Sequence, residues 1–126
     1  MPEFIPQHTP HNLDAFTKGY LEAAEWLLPE DVDRNTITGF HPDTIAKAKA
    51  DCEKFMRDNR ADLVRYFEIS ERPKSHAGHD FWLSRVGAGT GFWDRGKDPV
   101  FQKLEAAAKT FPEVSIVAGD GLMYIE

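Results

Sequence analysis

The chain lacks most of the features that assign a function quickly. It has one cysteine, Cys52, in 126 residues, so an internal disulfide is excluded and the composition suits a reducing compartment. Cys52 falls on the apolar stripe of an expected helix and reads as a packing residue. No apolar run approaches the roughly 18 residues of a membrane-spanning helix. The opening Met-Pro-Glu-Phe-Ile-Pro has no basic stretch ahead of an apolar one, so secretion is not expected. Positive charge is also short: 15 Lys and Arg stand against 21 Asp and Glu, a net charge of −6. That balance argues against general duplex-DNA binding, which needs a basic footprint. Two catalytic signatures are missing as well, the phosphate-cradling GxxxxGK[ST] loop and a serine nucleophile elbow.

What is present indicates a globular chain. Hydrophobic residues make up 41%, with nine Phe, three Trp and three Tyr, enough for one core in a single domain over residues 1–126. Residues 1–11, with three prolines and the histidines His8 and His11, read as an extended N-terminal arm. Asn12 caps an expected helix over 13–28, on which Leu13, Phe16, Tyr20, Ala23, Ala24 and Leu27 keep the 3.6-residue period. Residues 30–39 form an acidic loop whose Asp31, Asp33 and Asn35 lack the glycine and closing glutamate of a calcium site. Pro42 opens a second helix to about residue 68, with a kink near Asn59.

The centre of interest is 75–96, SHAGHDFWLSRVGAGTGFWDRG. Two aromatic runs flanking Gly87, Gly89 and Gly91 read as a β-hairpin. In that register Asp80 faces Arg95, and Trp82 and Trp93 share one face with them, while Phe81, Leu83 and Phe92 share the other. Asp98-Pro99 starts a third helix to about residue 110. A second hairpin follows, 114–119 and 122–126 about Asp120-Gly121, with Ile116, Ala118, Met123 and Ile125 on one face. The expected fold is therefore α+β: three main helices packed on a small antiparallel sheet of two hairpins, in the order α-α-ββ-α-ββ.

Charge is unevenly spread. Residues 1–40 carry seven acids and two bases, whereas 72–97 carry two acids and five bases. The first hairpin is thus a basic, aromatic patch on an acidic chain. Three chemistries follow. As a contact surface for a protein partner, it offers Trp82, Trp93, Arg85, Arg95 and Lys97, residue types that dominate interface energetics. The same residues, with two indoles to stack on bases, suit a single-stranded nucleic acid or a nucleotide. As a small hydrolase, it offers His79 as a base with Asp80 and Asp94, and Arg95 to hold an anion. His76, His79 and Asp80 are the weak candidates for a metal, although H-x-x-H-D without cysteines is a poor zinc pattern. No cofactor is expected.

The run Ala77-Gly-His-Asp-Phe-Trp-Leu-Ser-Arg85, followed by a Gly-rich segment, Gly91-Phe-Trp-Asp-Arg95, a helix of the type KLEAAAKTF and a closing VAGDGLMYIE, resembles a family of small proteins encoded by tailed bacteriophages and prophages. Its members carry AGHDFWLTR, a Gly-rich turn and GFWD. The resemblance covers roughly residues 60–126. Val86-Gly-Ala-Gly-Thr90 stands where the family carries an Asn- or His-containing turn. The resemblance implies a phage-encoded accessory protein in the cytoplasm of an infected bacterial host, and it implies no activity. On that reading the first hairpin binds a host or phage macromolecule.

Overall fold

The computed structural model describes Pro10 and residues 12–126; the arm expected over 1–11 lies outside the described residues apart from Pro10. Helix α1 spans Ala15–Trp26. Its cap is Asp14, two residues beyond the expected Asn12. The Asp14 carboxylate accepts the Thr17 backbone N–H at 3.0 Å and the Thr17 hydroxyl at 2.7 Å, which satisfies an amide that the helix leaves free.

Strand β1 is the two-residue Gly39–Phe40, which the sequence reading missed. The expected long helix is broken where its stripe turns polar, into α2 (Pro42–Asp58) and α3 (Arg60–Ser70). At the elbow the Asn59 side chain donates to the Phe55 carbonyl at 2.9 Å. Side-chain competition of this kind for a helix carbonyl favours a break.

The largest departure is at residues 74–95. Lys74–Val86 is a helix, α4, and Phe92–Asp94 is a short 3-10 turn, so the first hairpin does not exist. The boundaries explain why. Pro73 precedes the helix, and Gly87 ends it at φ 67°, its N–H bonded to the Leu83 carbonyl. Proline before a helix and left-handed glycine after it are the usual pair of terminators. What looked like alternation in 80–85 is a helix buried on several sides, with Ala77, Phe81 and Trp82 all at or near 0% exposure.

Helix α5 is Pro99–Ala108, capped by Asp98 as expected. Strands β2 (Ile116–Gly119) and β3 (Leu122–Ile125) form the second hairpin, with Ile116 opposite Ile125 and Ala118 opposite Met123. Asp120 and Gly121 take φ 52° and 79°, the left-handed pair that a two-residue hairpin turn requires. β1 adds in parallel to β3, giving the order β1-β3-β2. The fold is α+β, but it has five helices and a mixed three-stranded sheet among the described residues.

Helices α1 and α4 meet at glycines on both sides. A Cβ on Gly19 would overlap the Ser75 carbonyl, and one on Gly78 the Phe16 carbonyl. This contact builds the aromatic core, in which Phe55 stacks on Phe81 at 4.3 Å and Tyr20 meets Trp82 edge-on at 5.3 Å.

Candidate functional site

Helix α4 carries five of the residues singled out from sequence, His76, His79, Asp80, Trp82 and Arg85, and its packing sends them in different directions. Asp80, 1% exposed, accepts the Tyr66 hydroxyl at 2.7 Å and the Arg95 Nε at 3.0 Å, and pairs with Arg95 Nη2. The Asp80–Arg95 pair anticipated from the hairpin register is therefore present, built by a helix and a returning turn. Its hydrogen bond to Asp80 raises the Arg95 pKa, while burial and then the Asp80 charge push the Tyr66 hydroxyl well up.

One turn further along α4, Arg85 is 5% exposed. Its Nη1 donates to Asp51 at 2.8 Å and to the Tyr20 hydroxyl at 3.0 Å, and its Nε to the Pro112 carbonyl at 2.8 Å. Lys47 closes on Asp51 from outside at 2.7 Å. Burial is the main cause that raises the Tyr20 pKa. In both clusters each charge is neutralised and hydrogen-bonded within the protein, the condition under which buried ions are tolerated. They tie α4 to α1, α2, α3 and the segment after the helix.

His79 faces α1. Its ring lies 4.4 Å from the Trp26 ring and 5.4 Å from that of His76. Its Nε2 is 3.5 Å from a Glu22 carboxylate oxygen but makes no hydrogen bond. Burial, reinforced by His76 and opposed by Asp80, pushes the His79 pKa down to about 4, while burial raises that of Glu22. Both shifts favour the uncharged forms, so the contact is a neutral imidazole beside a carboxyl group and not an ion pair.

The hydrolytic set is thus dispersed. His79 looks toward Glu22 and Trp26, Asp80 is occupied by Tyr66 and Arg95, and Asp94 accepts from Thr90 at 3.0 Å on an exposed turn. The metal set fares no better: His76 and His79 are neighbours, but the oxygens of Asp80 are taken. Among the described residues no group of three or more His, Cys, Asp or Glu is placed to hold an ion. The two-indole platform is corrected too. Trp82 is 1% exposed and Trp93 is 43% exposed, so they do not share a surface, and Arg85 is interior.

What does remain at the surface is the segment after α4. Gly91 packs on Ser84 where a Cβ would clash. The Phe92 N–H donates to the Ser84 hydroxyl at 3.0 Å, and the Phe92 ring is fully buried, 5.6 Å from Tyr66. Arg95 is clamped by Asp80. Between these anchors Trp93 points outward, with Lys97 exposed shortly after it. The sequence reading missed Tyr20, Asp51 and Tyr66, which complete the buried clusters. Helical spacing of Ala77, Asp80, Phe81, Ser84 and Arg85 was the signal for them, hidden because three of the five are polar.

No family model matches the chain, and no solved structure matches it. Residues of the chain are 32% identical over 80 positions to biotin synthase from Aliarcobacter butzleri (strain RM4018). The alignment takes in 64% of this chain and spans only 27% of that protein's length.

Proposed function

We propose that this is a small phage-encoded accessory protein of the infected bacterial cytoplasm, which acts by binding a host or phage protein through the turn over residues 87–97. The observation that carries this reading is Trp93: an indole 43% exposed on a turn anchored on either side by the buried Phe92 ring and by Arg95 bound to Asp80. A large aromatic held rigid before contact loses little conformational freedom on binding, and such residues supply a disproportionate share of interface energy. The chain's likeness to biotin synthase spans too little of that protein to carry its activity here. Reading the site as a single-strand binder needs a second stacking indole, and Trp82 is inside the core.

The test is recovery of partners from infected cells with the wild-type chain and with Trp93→Ala. A specific protein bound by the first and lost by the second, at unchanged melting temperature, supports the reading. Equal recovery overturns it. Salt-sensitive quenching of Trp93 fluorescence by an oligonucleotide would reassign the turn to nucleic acid.

A further inference from the structure

The elbow between α2 and α3 encloses a half-open groove of about 570 Å³ that none of the preceding readings uses. Its walls are apolar: Met56 from α2, and Leu63, Val64 and Phe67 from α3, over a floor formed by Phe16. Val64 is 51% exposed, the largest value among the exposed large hydrophobics of the described residues. Its rim is basic. Arg57, Arg60 and Lys74 line it against a single acid, Glu53, on a chain whose net charge is −6.

Two of these three bases are not committed to a carboxylate, as several others of the fold are. Lys47, Lys54, Arg65, Arg85, Arg95 and Lys109 each close on a carboxylate. Arg57 has only a 3.7 Å approach to its neighbour Asp58, and Arg60 and Lys74 make no ion pair among the described residues. α4 also begins at Lys74 with no side-chain cap and no acid in its first turn, so its free N–H groups add to the positive potential at the rim.

We infer that the groove is a binding site for a linear alkyl carboxylate, with the chain on Met56, Leu63, Val64 and Phe67 and the carboxylate at Arg60 and Lys74. The volume lies in the range of small-molecule sites, about 300–1,000 Å³, and a mainly apolar lining with a few charged groups is their usual composition. The unpaired cations supply the charge-assisted hydrogen bonds that select an anionic head.

Calorimetric titration of the full chain with alkyl carboxylates below their micellar concentration tests this. Dodecanoate is expected to bind one per chain, and each methylene added from octanoate upward to tighten binding by about two- to fourfold, up to the fold-change for a fully buried CH₂. Arg60→Glu and Lys74→Glu, both at exposed positions, are expected to weaken dodecanoate about tenfold or more while leaving the melting temperature unchanged. Dodecyltrimethylammonium is expected not to bind. Equal affinity for the cationic and anionic amphiphiles, no chain-length dependence, or no effect of the charge reversals overturns the inference. So does binding to phosphatidylglycerol vesicles without binding of free dodecanoate, which gives the rim to a membrane surface. Concentration-dependent dimerisation abolished by Val64→Asp also overturns it, because a second copy is then the occupant.

Discussion

Trp82 and Trp93 follow a phenylalanine in the same two-residue sequence, Phe-Trp, eleven positions apart, and their surroundings are opposite. In α4 successive side chains are turned by about 100°, and both Phe81 and Trp82 are buried because the helix packs against α1 and α5. In the 3-10 turn only one side faces protein. Phe92 takes it and Trp93 is left in solvent. The difference separates two uses of one residue type: an indole enclosed by neighbours holds the fold, and an indole displayed on a fixed turn is available to a partner.

The contrast is most severely tested at the α1–α4 contact. Ala at Gly19 or Gly78 puts a methyl into a backbone carbonyl that cannot step aside. Either variant is expected to lose cooperative thermal unfolding by circular dichroism, an effect in the exceptional range above about 4 kcal/mol. Next come the residues enclosed by α4. Trp82→Ala is expected to cost about 3–5 kcal/mol as a core cavity, and Arg95→Ala a similar amount, because it strands the carboxylate of Asp80 inside the protein. Urea midpoints measure both. Asp80→Ala should be milder than Arg95→Ala, since the Arg95 side chain is 19% exposed and can turn toward water.

A smaller effect comes from His79, whose folded pKa of about 4 lies below its ordinary 6.5. Between those values the unfolded chain binds a proton that the folded chain refuses, so stability falls as pH drops from about 6.5 toward 4. Glu22 works in the opposite sense, because its raised pKa lets the folded carboxyl take up a proton first. His79→Gln should flatten the loss between pH 7 and 4.5 by about 1–2 kcal/mol in urea unfolding. Smallest of all, Trp93→Ala should change stability by less than about 0.5 kcal/mol while removing partner binding. A larger drop would mean that Trp93 belongs to the core and would erase the distinction from Trp82.

Where local chemistry dictates structure, the sequence was readable. Asp98-Pro99 starts α5, Asp120-Gly121 turns the C-terminal hairpin with the expected residues facing inward, and the stripe running polar at Asn59 marks the elbow of α2 and α3. The segment over 74–95 was not, because its helical face carries Asp80, Ser84 and Arg85. Their cost of burial is met by Tyr66, Arg95, Glu105, Asp51 and Tyr20, partners up to 65 positions away. A hydrophobic pattern cannot register a polar residue whose partner lies that far along the chain. Pro73 and Gly87 mark the ends of α4, but in sequence the glycines at 87, 89 and 91 read together as one reversal. The basic rim of the groove was invisible for a related reason: residues 41–70 hold six acids and six bases, and only the fold gathers three of the bases at one place.

Strand β3 occupies the middle of the sheet although it is the last of the three to be made. Thr38, beside β1, bonds to the Gly121 carbonyl across 83 positions of chain. On a ribosome β1 has no edge to join until nearly all of this sequence has emerged, while α1, α2 and α4 can already pack. The helical layer is thus the scaffold onto which the sheet closes, and a chain stopped just short of residue 122 would leave both flanking strands with unpaired edges, the kind of surface that invites association with other chains.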